Sequence, residues 1–69
     1  MKLPMRLGLV AKYEADIAHA DATLKIYLEN SVGIGEHPQH IEECDKLVEK
    51  IASAKEKLEV LKEFEPEKL

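Results

Sequence analysis

Two histidines and a cysteine are the residues of this sequence whose types and spacing could bind a metal ion. His40 and Cys44 are four residues apart and would share one face of a helix, and His37 lies just before that helix. Zinc binds imidazole and thiolate groups, but it needs four protein ligands at a structural site and three at a catalytic site. Glu36 or Glu43 could add an oxygen ligand. We predict no cofactor, and we keep a weak metal site at His37, His40 and Cys44 as an alternative to a turn histidine, a solvent-facing histidine and a buried thiol.

Cys44 and His40 are also the only pair that could support nucleophilic catalysis. Such catalysis needs a nucleophile, a base and a pocket, and a chain of 69 residues offers few walls for a cleft. The glycines at positions 33 and 35 lack the downstream lysine–serine signature of a phosphate-binding loop. We therefore predict that the protein is not an enzyme and that these glycines belong to a turn.

The turn connects two long helical patterns that position all of these residues. Asn30 and Gly33 favour the left-handed conformation that ends helices, and Pro38 suits the first turn of the next helix. The predicted turn residues are Asn30, Gly33, Gly35, His37 and Pro38. The pattern predicts an all-α fold, an antiparallel two-helix hairpin with helices over about 9–30 and 38–64 joined at 31–37.

Apolar residues recur in alternating steps of three and four along both helices, the coiled-coil rhythm of a helix–helix seam. The predicted seam consists of Val10, Tyr13, Ile17, Ala20, Leu24 and Tyr27 in the first helix and Cys44, Leu47, Ile51, Ala54, Leu58 and Leu61 in the second. If the turn is centred on Ile34, facing residues have numbers that sum to about 68, so that Val10 meets Leu58 and Ile17 meets Ile51. A slip of one helical turn is also compatible.

A second apolar stripe follows the first helix. It consists of Ala11, Ala15, Ala18 and Ala22, followed by Ile26. At about 100° per residue we place this stripe roughly a third of a turn from the seam. Two apolar stripes on one helix imply two neighbours, although alanine is also the best helix former and could simply face water.

The small size of the chain predicts self-association. Below about 70–80 residues a single core rarely contributes more than about 3–5 kcal/mol, and two helices enclose no interior. We expect one domain, residues 1–69, that dimerises into a four-helix bundle and acts as a small interaction protein. The alternative is a subunit or adaptor whose alanine stripe docks on a different protein.

The two ends of the chain are expected to lie outside the helices. Gly8 weakens a helix, so we treat residues 1–8 as a leader, with helix possible back to Pro4. Pro66 disfavours helix at the residue before it, and residues 65–69 are expected to fray.

Charge and hydropathy exclude several functions. The net charge of −4, without a basic stripe, argues against binding nucleic acid. No segment reaches the roughly 18 apolar residues needed to span a membrane, and the N-terminal pattern does not fit a signal peptide. A single cysteine suits a reducing interior, so a cytoplasmic location is predicted.

The stretch from Tyr27 to Pro38, with its Tyr-Leu-Glu-Asn and Gly-Ile-Gly-Glu-His-Pro segments and the Lys-Leu-Val-Glu-Lys-Ile helix that follows, resembles small uncharacterised proteins of marine tailed bacteriophages. The resemblance covers about residues 13–64, and the turn is its specific part. It implies a phage or marine metagenomic origin and a place inside an infected bacterial cell. It implies no activity, cofactor or catalytic residue.

Overall fold

Two long α-helices make up the structure, a computed structural model that describes residues 3–29 and 38–68. Helix α1 spans Leu3–Glu29 and helix α2 spans Pro38–Leu61. Short 3-10 turns follow at Lys62–Phe64 and Pro66–Lys68. The two helices contact each other, so the predicted all-α helical hairpin is confirmed. Pro38 is the first residue of α2, whereas the predicted turn residues Asn30, Gly33, Gly35 and His37 lie outside the described part of the chain.

Side-chain contacts show that the helices are antiparallel. Arg6 reaches the carbonyl oxygen of Leu61, and the Tyr27 ring packs on the His40 ring at the opposite end. In both pairs the residue numbers sum to 67, close to the register that the turn predicts. The molecule is a rod with principal extents of 51 × 14 × 13 Å.

Helix α1 begins at Leu3, earlier than the predicted start near residue 9 and close to the extension back to Pro4 that we considered possible. Residues 3–8 continue the helix and do not form a separate leader. Pro4 is tolerated because the first N–H groups of a helix have no partner within the helix. Arg6 and Leu9 are half-buried, so this end of the helix gains contacts that offset the cost of Gly8.

Gly8 lies within α1 with open space around it, since a Cβ atom built there would meet nothing within 4 Å. We expect Gly8→Ala to raise the free energy of unfolding by about 0.5–1 kcal/mol, because alanine loses less backbone entropy on folding. Urea denaturation at fixed protein concentration measures the change. Ala52→Gly, on an exposed position of α2, should lower stability by a similar amount, and an unchanged midpoint for Gly8→Ala would contradict the expectation.

The seam between the helices is narrow. All twelve predicted seam positions are buried or half-buried, but among the described residues the buried apolar side chains are those of Ala20, Ala54 and Leu61. In the observed register, Ala54 lies opposite Tyr13, and both residues line the same groove. Small residues facing large ones let the two backbones come close.

The alanine stripe of α1 points away from α2. Ala11, Ala15, Ala18, Ala22 and Ile26 are all exposed. The stripe therefore lies about half a turn from the seam, not the third of a turn that we estimated, because the centres of the two sets differ by about 170° at 100° per residue. A neighbour on this stripe would sit on the far side of α1 from α2.

Helix α2 ends three residues before the predicted boundary. The α-helix stops at Leu61, Lys62–Phe64 tightens into a 3-10 turn, and Glu65 is extended with φ −69° and ψ 147°. A residue before proline favours this extended conformation, so Pro66 explains the change of direction. Residues 66–68 then form another 3-10 turn where we had expected a frayed tail.

Candidate functional site

Of the three candidate metal ligands, the structure describes His40 and Cys44 but not His37. His40 is half-buried, and its ring centroid lies 5.5 Å from that of Tyr27 with an interplanar angle of 59°. Cys44 is a half-buried free thiol, and His37 lies outside the described residues. Within residues 3–29 and 38–68, no three histidine, cysteine, aspartate or glutamate residues are grouped so that they could hold a metal ion. The Tyr27–His40 contact joins the helices near the turn.

A polar groove runs along one side of the seam, and we call it the lysine groove. It is open to solvent, has a volume of about 220 Å³ and is lined by Lys12, Tyr13, Asp16, Lys50, Ser53, Ala54 and Lys57. The Lys12 and Lys57 ammonium nitrogens lie 5.6 Å and 5.4 Å from the centroid of the Tyr13 ring, within the range of cation–π attraction. Both helices therefore contribute cations to the same groove.

Asp16 is the single anionic side chain that lines the groove. Its Oδ2 lies 3.1 Å from Lys12 Nζ, and this hydrogen bond lowers the pKa of the carboxyl below 3.8. The positive charges of Lys12, Lys50 and Lys57 lower the pKa further, against the opposing effect of desolvation. The lysines of the groove thus stabilise the ionised form of the Asp16 carboxyl group.

The pKa of Asp16 predicts a contribution to the pH dependence of stability. Because the pKa is lower in the folded state, the folded chain binds fewer protons than the unfolded chain in the acid range. The contribution of Asp16 is therefore present above pH 3.8 and is lost as the pH falls through the lowered pKa. We expect Asp16→Asn to flatten the acid limb of a plot of stability against pH. Glu49→Gln, on an exposed position of α2, should leave that limb nearly unchanged; equal slopes in wild type and Asp16→Asn would contradict the assignment.

A second polar contact joins the helices at the end opposite the turn, and we call it the arginine clasp. The carbonyl oxygen of Leu61 accepts hydrogen bonds from Arg6 Nε at 3.4 Å and from Nη2 at 3.2 Å. Arg6 Nη2 also lies 3.7 Å from Glu65 Oε1. Leu61 is the last residue of α2 and precedes the 3-10 turn, so Arg6 adds a charged donor to the carbonyl at which the α-helix ends.

The arginine clasp predicts unequal effects for its two contacts. We expect Arg6→Met to lower the free energy of unfolding by about 1–2 kcal/mol, because a charged donor to a helix-end carbonyl is lost while the aliphatic stem is kept. Glu65→Gln should cost at most about 1 kcal/mol, as expected for a partly exposed ion pair. Urea denaturation of both single variants and the double variant separates the two contributions. A larger effect at Glu65 than at Arg6 would contradict this ranking.

Among the described residues, we define two exposed apolar surfaces on the single chain. The first, the alanine face, lies on α1 and consists of Leu7, Ala11, Ala15, Ala18, Ala22 and Ile26. The second, the turn-side patch, consists of Leu28, Ile41 and Val48, whose exposed fractions are 65%, 62% and 51%.

The sequence analysis did not find the lysine groove or the arginine clasp. Lys50 and Lys57 are seven residues apart, and this heptad spacing beside the seam was an available signal. Arg6 gave no such signal, because it lies in the segment that we treated as a leader, where we considered a helix only possible.

Comparisons with protein-family models, curated proteins and solved structures found no match for this chain. Neither α1 nor α2, over the residues described, combines the length and the apolar character that crossing a membrane requires. The fold that the structure shows is an antiparallel helical hairpin.

Proposed function

We propose that the protein is a non-catalytic interaction protein that self-associates as a dimer through the alanine face. The observation that carries this proposal is that α1 has two apolar sides and α2 covers one of them. Leu7 and Ile26, at the two ends of the alanine face, are 60% and 66% exposed. A second neighbour would remove this face from water, and a second copy is the simplest source of one.

The order of residues along the alanine face supports an antiparallel pairing of two α1 helices. Its steps of four, four, three, four and four read the same in both directions. The twofold axis of such a pair would fall midway between Ala15 and Ala18. Leu7 of one copy would then meet Ile26 of the other, and Ala15 would meet Ala18. A twofold interface requires this kind of self-complementarity.

This pairing gives the dimer a specific shape. Because the alanine face lies about half a turn from the seam, two α1 helices would pack at the centre with an α2 helix on each outer side. The four helices would lie in a row. In the four-helix bundle that we predicted from the sequence, they would instead surround a common core. Small side chains along the central pair allow a close interhelical approach, near the short end of the usual range of about 8–10 Å.

Light scattering coupled to size exclusion tests the dimer directly. We expect a mass of twice 7.8 kDa at micromolar concentration. A stable, fully helical monomer would contradict the proposal.

Cysteine crosslinking tests the register of the dimer. In a Cys44→Ser background, chains carrying Leu7→Cys should form disulfides with chains carrying Ile26→Cys. Leu7→Cys chains alone should not crosslink, because two copies of position 7 would be about 28 Å apart at about 1.5 Å per residue, far beyond the roughly 4.4–6.8 Å between Cα atoms of a disulfide. Efficient crosslinking of Leu7→Cys with itself would exclude the antiparallel register.

The alternative function is that of an adaptor that binds a different protein. The turn-side patch favours it, because Leu28 and Ile41 lie on neighbouring helices at one end of the rod and are more than half exposed. Under either function, we propose that the protein acts in the cytoplasm of a bacterial cell, in keeping with the resemblance to phage proteins. If the wild-type chain is monomeric and Leu28→Glu leaves its helicity unchanged, the adaptor becomes the better account of the exposed apolar surface.

A further inference from the structure

The lysine groove concentrates positive charge in a chain whose net charge is −4. Its lining includes three lysines and one aspartate, which gives the groove a net charge of +2. Lys12 is paired with Asp16, whereas neither Lys50 nor Lys57 forms an ion pair with any carboxylate in the described residues. Two ammonium groups therefore face a concave surface without a close anionic partner.

We propose that the lysine groove binds a compact phosphate-type oxyanion, with Lys12 supplied by α1 and Lys50 and Lys57 supplied by α2. Ammonium groups are strong donors to phosphate oxygens, and the hydroxyl group of Ser53 lines the same groove. The bound anion would connect the two helices. This inference does not depend on the dimer, because no residue of the alanine face lines the groove.

The size and surroundings of the groove restrict the ligand. A volume of about 220 Å³ is below the roughly 300–1,000 Å³ typical of sites for drug-sized ligands, so the groove suits a small anion such as pyrophosphate. A nucleic-acid backbone would extend beyond the groove onto the acidic outer surface of α2. That surface carries Glu42, Glu49 and Glu56, which are all exposed. At physiological salt, charges farther away than about 8 Å are largely screened, so a compact anion would respond mainly to the lysines.

Asp16 would oppose anion binding. Its carboxylate lies within the groove and already holds Lys12 at 3.1 Å. Removing this negative charge should free Lys12 and reduce repulsion of an incoming anion. Asp16→Asn is therefore expected to bind more tightly than the wild type, an effect that loss of a purely structural ion pair would not produce.

Phosphorus NMR titration of the protein with pyrophosphate, at ionic strength held constant with sodium chloride, tests the proposal. We expect saturable binding in the millimolar range for the wild type. The Lys50→Gln/Lys57→Gln variant should bind at least about tenfold more weakly, and Asp16→Asn should bind several-fold more tightly. The matched control is Lys55→Gln/Lys62→Gln, which removes the same charge outside the groove and should stay within about twofold of the wild type.

Three results would overturn the proposal. One is wild-type binding that does not saturate, or that chloride at equal ionic strength reproduces. Another is an equal loss of affinity in the groove variant and the matched control, which would show a response to net charge alone. The third is weaker binding by Asp16→Asn. Circular dichroism of each variant establishes that the helices are intact, which is expected because all the substituted side chains are exposed or half-buried.

Discussion

Replacing Leu61 with alanine is expected to lower the free energy of unfolding by about 2–3 kcal/mol, toward the low end of the range for buried leucines. Leu61 is 7% exposed and is the largest of the three buried apolar residues in the described chain. Its position near the end of α2 lets the surroundings collapse partly into the space left behind, which limits the cost. A hairpin of this size has about 3–5 kcal/mol in total, so the variant should retain only about 0–3 kcal/mol.

The matched control for Leu61 is its neighbour Val60. Val60 is 50% exposed and points away from the seam, so Val60→Ala should change stability by less than about 0.5 kcal/mol. Urea denaturation followed by circular dichroism, at a fixed protein concentration, measures both variants. Equal losses at positions 60 and 61 would show that the narrow seam is not the main source of stability.

Introducing glutamate at both Ala15 and Ala18 is expected to abolish the proposed dimer. In the antiparallel register these positions meet at the centre of the interface, where four carboxylates would be brought together without counterions. We expect the dissociation constant of the dimer to rise by at least about 100-fold, which corresponds to roughly 2.7 kcal/mol. The seam should be unaffected, because both positions are exposed on the single chain and glutamate is a good helix former.

A double variant on α2 controls for the added charge. Gln39→Glu/Val60→Glu adds the same two negative charges at exposed positions outside the alanine face. It should remain dimeric by light scattering, whereas Ala15→Glu/Ala18→Glu should elute as a monomer. If the alanine-face variant keeps both its helicity and its oligomer size, these alanines do not mediate self-association, and a different protein becomes the better candidate partner.

The fold was accessible from the sequence because its signals are local and periodic. The heptad steps of the seam residues in both helices and the glycines of the turn predict two helices of nearly the observed length. The observed contacts follow the predicted register closely. The boundaries were less accessible. The cost of Gly8 predicted a later start for α1, but the contacts of Arg6 and Leu9 with the rest of the hairpin outweigh that local preference.

The candidate sites were less accessible because they depend on side chains brought together from distant parts of the chain. Lys12 and Lys57 appear unrelated in the sequence, and only the register places both beside Tyr13. Arg6 and Leu61 are likewise 55 residues apart. The sequence did predict the alanine stripe, but our estimate of a third of a turn was wrong, although about 100° per residue gives about half a turn from the sequence alone.

The arginine clasp also determines how the hairpin would respond to mechanical load. Arg6 and Glu65 lie side by side at one end of an antiparallel pair. Tension applied between them would act across the helix axes and peel the seam open turn by turn, with the clasp breaking first. Tension applied along the rod, between Arg6 and His40, would instead shear the whole seam at once and should require a greater force.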